Sequence, residues 1–211
     1  MICKQPMIIQ IDEATIKGRQ MKKALLLNFS PKTSGQTSVF INLFKQNFDG
    51  EIEQFDLFNK QVSPCIDCGG CKRVTRCVLN DDFMKILAPN YDVVVVASPL
   101  YMSNLPAPAF SLISRFNFLF NNKKHLGLNH KFKSKQAMLI LTGGGGACDM
   151  LMGESNEDLA IRQAKYIFKK LNAKLDENDI ILSLNTDAVP AEKDVYNKNK
   201  IIKSAKKLSL Q

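Results

Sequence analysis

Four cysteines crowd into one short stretch, Pro64-Cys65-Ile66-Asp67-Cys68-Gly69-Gly70-Cys71 and then Cys77, in a C-x₂-C-x₂-C-x₅-C pattern. Thiolates at successive two-residue gaps wrap around one compact object, and Gly69-Gly70 lets the loop turn tightly. Single-loop iron–sulfur sites are built this way. Structural zinc sites more often draw two Cys pairs from separate knuckles, and a redox dithiol needs only one C-x-x-C pair. The spacing points first to a [4Fe–4S] cluster on Cys65, Cys68, Cys71 and Cys77. Zinc, and thiols that bind nothing, stay open as alternatives. The two remaining cysteines, Cys3 and Cys148, read as incidental thiols. Such crowding in a reducing compartment speaks for metal or redox chemistry rather than structural disulfides.

Three further segments have the make-up of ligand loops. Ser30-Pro31-Lys32-Thr33-Ser34-Gly35-Gln36-Thr37-Ser38 offers hydroxyls, a glycine and backbone N–H groups at a helix start, which suits a phosphate ester. It has neither the Lys-Ser or Lys-Thr of a Walker loop nor the three spaced glycines of a dinucleotide fingerprint. Ser98-Pro99-Leu100-Tyr101-Met102-Ser103-Asn104-Leu105-Pro106 provides a tyrosine, backbone amides and small polar groups for the face and edge of a flat ring. Thr142-Gly143-Gly144-Gly145-Gly146-Ala147 allows close backbone approach. Singly these read equally well as a polar turn, a proline-punctuated loop and a flexible linker. Their weight comes from sharing one place in the fold.

That place is set by the elements around them. Ala24–Phe29, Asp92–Ala97 and Ala137–Leu141 are continuous apolar runs that end at Ser30-Pro31, Ser98-Pro99 and Thr142, and Ile180–Leu182 is a weaker fourth. Such runs suit strands buried on both faces of a parallel sheet. Ile52–Leu57 alternates, as an edge strand does. Helical periods lie between: Phe40, Leu43, Phe44 and Phe48, with Thr37 or Ser38 as cap; a short helix from Asp81-Asp82 through Phe83, Ile86 and Leu87; Phe110, Ile113, Phe116 and Phe120; Ala160, Ala164, Ile167, Phe168 and Leu171, with Ser155, Glu157 and Asp158 in the first turn; and Ile201, Ile202, Ala205 and Leu208. This alternation predicts an α/β, flavodoxin-like, doubly wound five-stranded parallel sheet of order 2-1-3-4-5 with helices on both faces. Ligands of such sheets sit beyond the strands' carboxyl ends, at the switch point between the first and third strands.

With 211 residues, the chain is expected to form one domain over 21–211, carrying a cysteine-rich insert at 62–80. Residues 1–20 read as an extension that need not be native, with Met21 as an alternative start. They lack a secretory apolar region, so a cytoplasmic location is expected. No run of about 18 apolar residues could span a membrane. The net charge of +9, from 29 basic and 20 acidic residues, favours anionic partners. Its nearest patches are Lys123, Lys124, His125, Lys131, Lys133 and Lys135, and Lys193 to Lys207; each reads first as a solvated face. No recognition helix or aromatic ribbon accompanies them, so no nucleic-acid partner is expected.

Taken together, Ser30-Pro31 with Gly35-Gln36-Thr37, the Cys65–Cys77 spacing followed by Asp81-Asp82, and Ser98-Pro99-x-Tyr101 resemble the iron–sulfur flavoprotein branch of the flavodoxin-like NAD(P)H-dependent FMN reductases, from about Lys22 to the C-terminal helix. The cysteine spacing with Asp81-Asp82 is the specific part. This chain has Phe29-Ser30, Gln36 and Asp67 where the family pattern has Gly-Ser, Asn and Gly. The resemblance implies Ser30, Lys32, Gln36, Thr37 and Ser38 around the FMN phosphate, Pro99, Leu100, Tyr101, Met102, Ser103 and Asn104 along the isoalloxazine, and Thr142 with Gly143 to Gly146 on its other side. It further implies an oxidoreductase in which the flavin carries the chemistry, with NAD(P)H or ferredoxin as electron donor and a homodimer or homotetramer as the assembly. The alternatives are an FMN-only NAD(P)H reductase of flavin, quinone or nitro compounds, and a zinc-bound, non-enzymatic nucleic-acid module.

Overall fold

The computed structural model describes residues 21–59, 62–74, 76–121, 132–145 and 155–210. In chain order the elements are β1 (Lys22–Asn28), α1 (Gln36–Asn47), β2 (Gly50–Asp56), a 3₁₀ turn (Gly70–Lys72), α2 (Phe83–Ile86), β3 (Val93–Pro99), α3 (Ala107–Arg115), α4 (Asn117–Asn121), β4 (Lys135–Thr142), α5 (Asn156–Lys170), β5 (Ala173–Ser183) and α6 (Val195–Leu210). The five strands form one parallel sheet in the order β2-β1-β3-β4-β5, as the sequence predicts. One register row runs Phe55, Leu27, Val96, Leu139, Ile180 across its whole width.

Why these runs are strands follows from where alternate side chains go. Leu25, Leu27, Val94, Val96, Leu139 and Leu141 are buried on one face against residues of α2 to α5. Leu26, Val93, Val95, Met138 and Ile140 are buried on the other, against Phe40 and Phe44 of α1 and Ile201, Ala205 and Leu208 of α6. A strand covered on both faces has no polar positions to spare, so β1, β3 and β4 read as unbroken apolar sequence. Each fully buried aliphatic or Phe side chain contributes about 1.5–3 kcal/mol of transfer free energy. The central strands are thereby held rigid, and with them the loops at their carboxyl ends.

Three expectations change. β5 is 11 residues long and begins at Ala173 rather than near Ile180. Its first half is an exposed edge with mostly polar side chains, and a register shift against β4 between Ala137 and Leu139 interrupts the pairing. The helical period Phe110–Phe120 is split between α3 and α4. Phe110 and Phe120 are exposed, while Ala109, Leu112 and Arg115 form the buried face of α3. Apolar spacing could not announce this, because a fully buried arginine belongs to the face. Lastly, Gly35 rather than Thr37 or Ser38 is the N-cap of α1, and no side chain caps it. By contrast α5 starts as expected, with Ser155 and Asp158 forming a reciprocal capping box.

Candidate functional site

β1, β3 and β4 are adjacent, so the loops after them open at the same end of the sheet, and hydrogen bonds tie them to one another. The Thr37 hydroxyl, at the start of α1, is 2.7 Å from that of Thr142 at the end of β4, and both residues are buried. Leu100 N–H, just after β3, donates to the Thr142 carbonyl at 2.8 Å. Thr142 thus joins all three loops.

Within the first loop the expected phosphate residues divide by role. Asn28 orders its start: its Oδ1 accepts Ser30 N–H at 2.9 Å, and its Nδ2 donates to Asp56 at 2.7 Å. Ser38 Oγ donates to the Lys32 carbonyl at 2.9 Å, and Ser30 Oγ accepts Lys32 N–H at 3.2 Å. Gln36 Oε1 accepts Ala191 N–H from the segment before α6 at 2.6 Å. The side chains of Gln36, Thr37 and Ser38 are therefore spent on shaping the loop. Meanwhile the N–H groups of residues 33–37 take no acceptor among the described residues. An uncapped helix start with a run of open N–H groups is a fit for a phosphate ester. Ser30, Lys32, Thr33 and Ser38 also border a cavity of about 110 Å³ on the β2 side.

The second loop is a tight tip. Tyr101 and Asn104 exchange N–H···O bonds of 3.0 and 3.1 Å, and Met102 and Ser103 between them adopt left-handed backbone (φ 49° and 64°). Tyr101 is 47% and Met102 86% exposed, so an apolar surface faces outward beside the mouth. Gln163 of α5 holds this tip from behind, donating to Asn104 Oδ1 at 2.7 Å and accepting Leu105 N–H at 2.9 Å. In the third loop Gly143 N–H donates to Ser183, and its carbonyl accepts both Thr186 N–H and the Thr186 hydroxyl. A side chain at Gly144 would place its Cβ 2.7 Å from the Asp187 carboxylate, so a larger residue here requires Asp187 to swing away. Gly146 lies outside the described residues.

The cysteine loop sits between β2 and α2, and Cys65, Cys68, Cys71 and Cys77 all line one small cavity with Leu79, Arg115 and Phe118. Among the described residues, no three His, Cys, Asp or Glu side chains stand close enough together to hold a single metal ion. Gly69 has φ 66°, a left-handed turn that glycine adopts without strain, and a side chain at Gly70 would meet Val78 at 2.7 Å. Both glycines are thus required by the turn.

Beneath the loop lies an ion pair that periodicity does not reveal. Arg115, whose side chain is 1% exposed, meets Asp81 through both terminal nitrogens, at 2.5 and 3.1 Å. The same guanidinium donates to the Ser63 carbonyl at 2.9 Å and to Cys77 Sγ at 3.2 Å. Asp81 in turn accepts the N–H groups of Ser63 and Phe83. Burial pushes the Asp81 carboxyl upward, but these donors, Arg115 first, outweigh it and hold it below the ordinary aspartate range. Cys65 N–H donates to Ser114 Oγ at 3.0 Å, and Asn121 Nδ2 lies 3.6 Å from Cys71 Sγ. Four thiols around one cavity, with donors already aimed at two sulfurs, are a donor set that fits an iron–sulfur group. Asn28, Arg115, Gln163 and Asp187 are the site residues that sequence reasoning missed. Only Arg115 left a trace there, as a lone charge in an apolar helix.

Comparison with known proteins agrees with this fold. The chain is 34% identical over 96 residues to an iron-sulfur flavoprotein of Methanosarcina thermophila, a match covering 44% of this chain and 47% of that protein. The match spans about half the length of that relative. Among solved structures, an azoreductase from Bacillus anthracis str. Sterne superimposes with a TM-score of 0.62 at 15% identity, covering 89% of this chain and 100% of that one. An FMN-dependent NADH-azoreductase from B. anthracis str. Ames Ancestor, solved in complex with FMN, gives 0.58 at 16% identity, covering 90% and 100%. Likenesses at this identity speak for the shared flavodoxin-like fold. The profile of one family, NADPH-dependent FMN reductase, matches residues 22–176, most of the chain and all three strand-end loops, and the chain belongs to that family.

Proposed function

We propose that this chain is an FMN-dependent oxidoreductase that moves electrons between NAD(P)H or ferredoxin and an acceptor, with a [4Fe–4S] cluster on Cys65, Cys68, Cys71 and Cys77. The observation that carries the flavin part is the joining of three loops through Thr142, since it ties the open N–H groups at the start of α1 to the Pro99–Asn104 and Gly143–Gly145 loops. In this reading the N–H groups of residues 33–37 and the Lys32 ammonium hold the FMN phosphate. Ser30, Gln36, Thr37 and Ser38 keep that loop in shape. Pro99 to Asn104 line the isoalloxazine, with Tyr101 on a ring face, and Thr142 to Gly145 line the opposite side, continuing to Gly146. Bound FMN supplies the redox chemistry, accepting a hydride or exchanging electrons singly. The protein's own work is to place the ring, offer positive charge to its reduced form and leave one edge accessible.

The cysteine part is supported by the shared cavity, by the buried donors facing two of its sulfurs, and by the likeness to an iron-sulfur flavoprotein. The exposed Tyr101 and Met102 beside the mouth favour a homodimer or homotetramer with the flavin near the subunit boundary. No helix among the described residues is long and apolar enough to cross a membrane. The test is oxygen-free purification with iron and sulfide reconstitution, followed by flavin, iron and sulfide analysis and an absorbance spectrum. One FMN and about four iron and four sulfide per chain are expected for a single cluster. Flavin without iron leaves the FMN-only reductase; absence of flavin overturns the whole reading.

A further inference from the structure

We propose that Arg115 is a positioning residue for the cysteine-bound group, clamping both ends of its loop and donating N–H hydrogen bonds to its sulfur so that the reduced cluster is favoured. The inference rests on the [4Fe–4S] reading given above. Its ground is one side chain with four jobs. Through Asp81 and the Ser63 carbonyl, Arg115 fixes the chain just before Cys65 and just after Cys77. The Ser63 N–H to Asp81 bond closes that bracket. One terminal nitrogen points at Cys77 Sγ. Its Nε–H is buried without an acceptor among the described residues, although Arg115 lines the cysteine cavity. The Phe83 ring lies 4.6 Å from the guanidinium carbon and keeps the group flat against the core.

Leaving a buried donor without a partner is costly, so it calls for an acceptor at this spot. A sulfur of a bound cluster would provide one. Because Asp81 offsets the charge of Arg115, the pair adds no net charge here, and the effect on the cluster comes from directed N–H groups. One-electron reduction makes the cluster more negative, with no bond made or broken. Donors to sulfur therefore strengthen on reduction and raise the potential.

The experiment is an anaerobic dithionite titration of the reconstituted full chain, followed by EPR, with iron and FMN measured on each sample. The main variant is Arg115→Met with Asp81→Asn, which removes both charges together, so that neither is orphaned, and leaves an amide oxygen for the Ser63 or Phe83 N–H. With iron retained, its equilibrium constant for cluster reduction should fall by about tenfold, which is 59 mV for one electron. Loss of iron with FMN retained also supports the clamp. Retained iron and an unchanged potential overturn it. If that variant does not fold, Arg115→Lys keeps the charge but gathers its donors on a single nitrogen, without the planar fork. It should titrate below the wild type, and an unchanged potential overturns the proposal. A wild type that takes up flavin but no iron overturns the cluster reading, and this inference falls with it. Iron in the wild type with indifferent variants removes Arg115 alone.

Discussion

Asp67 has φ 47°, inside the cysteine loop, with its carboxylate exposed. Left-handed backbone costs an L-residue about 1–2 kcal/mol, less for Asp and Asn, and glycine avoids it. The strain at Asp67 is therefore small and local to the loop. Asp67→Gly should raise stability by about 0.5 kcal/mol, read as a higher denaturant midpoint at unchanged slope. The Thr37–Thr142 pair makes a different residue-scale case. Thr37→Val leaves a buried hydroxyl unpaired and should cost about 1–2 kcal/mol. FMN affinity should fall with it, by about tenfold for each 1.4 kcal/mol of cradle distortion. Adding Thr142→Val should return part of the stability but not the affinity, because the first loop is then no longer tied to the third. A double-mutant cycle read by denaturation and by flavin fluorescence separates the two effects.

At the scale of elements, helices here act as holders more than as ligands. α5 packs Ala160, Ala164, Ile167 and Phe168 against the sheet, and from that fixed base Gln163 grips the Tyr101–Leu105 tip by two hydrogen bonds. The tip carries two left-handed non-glycine residues and needs such support to keep one conformation. Gln163→Ala should therefore loosen FMN binding by about 5–10-fold while lowering global stability by only about 1 kcal/mol. Isothermal titration with FMN and thermal melts of the apo-protein check the two halves. α1 contributes the reverse design. Its first-turn hydroxyls bond elsewhere, which leaves its N-terminus open to an anion instead of capped.

For the whole molecule, several lysines of the two basic patches find partners among the described residues, and Lys123, Lys124, His125 and Lys131 lie outside those residues. Lys133 pairs with Asp92 at 2.6 Å and Lys207 with Asp179 at 2.6 Å, while Lys200 reaches the Ile180 carbonyl. Lys135 is buried at the start of β4, donating to the Leu171 carbonyl at 3.0 Å, and burial pulls its pKa down to about 8 from 10.5. Below about pH 8 it is charged in both folded and unfolded chains. Between about 8 and 10.5 the folded protein releases its proton first, so the unfolded state binds more protons and stability rises with pH. Lys135→Met should lack that increment, and melting temperatures of both proteins followed from about pH 7 to 10 decide the point. What the sequence determined by itself is the order and type of elements. The apolar runs of β1, β3 and β4 are unbroken because both of their faces are covered, and their punctuating Ser-Pro and glycine residues mark the carboxyl ends of those strands. Cysteine spacing likewise survives as one cavity wall. Tertiary structure alone decided which polar groups meet. Arg115 with Asp81, Gln163 with Asn104, and Thr37 with Thr142 are far apart along the chain. Periodicity reports that a position is covered, not what covers it, and a buried charge or hydroxyl is tolerable only once the fold delivers its partner.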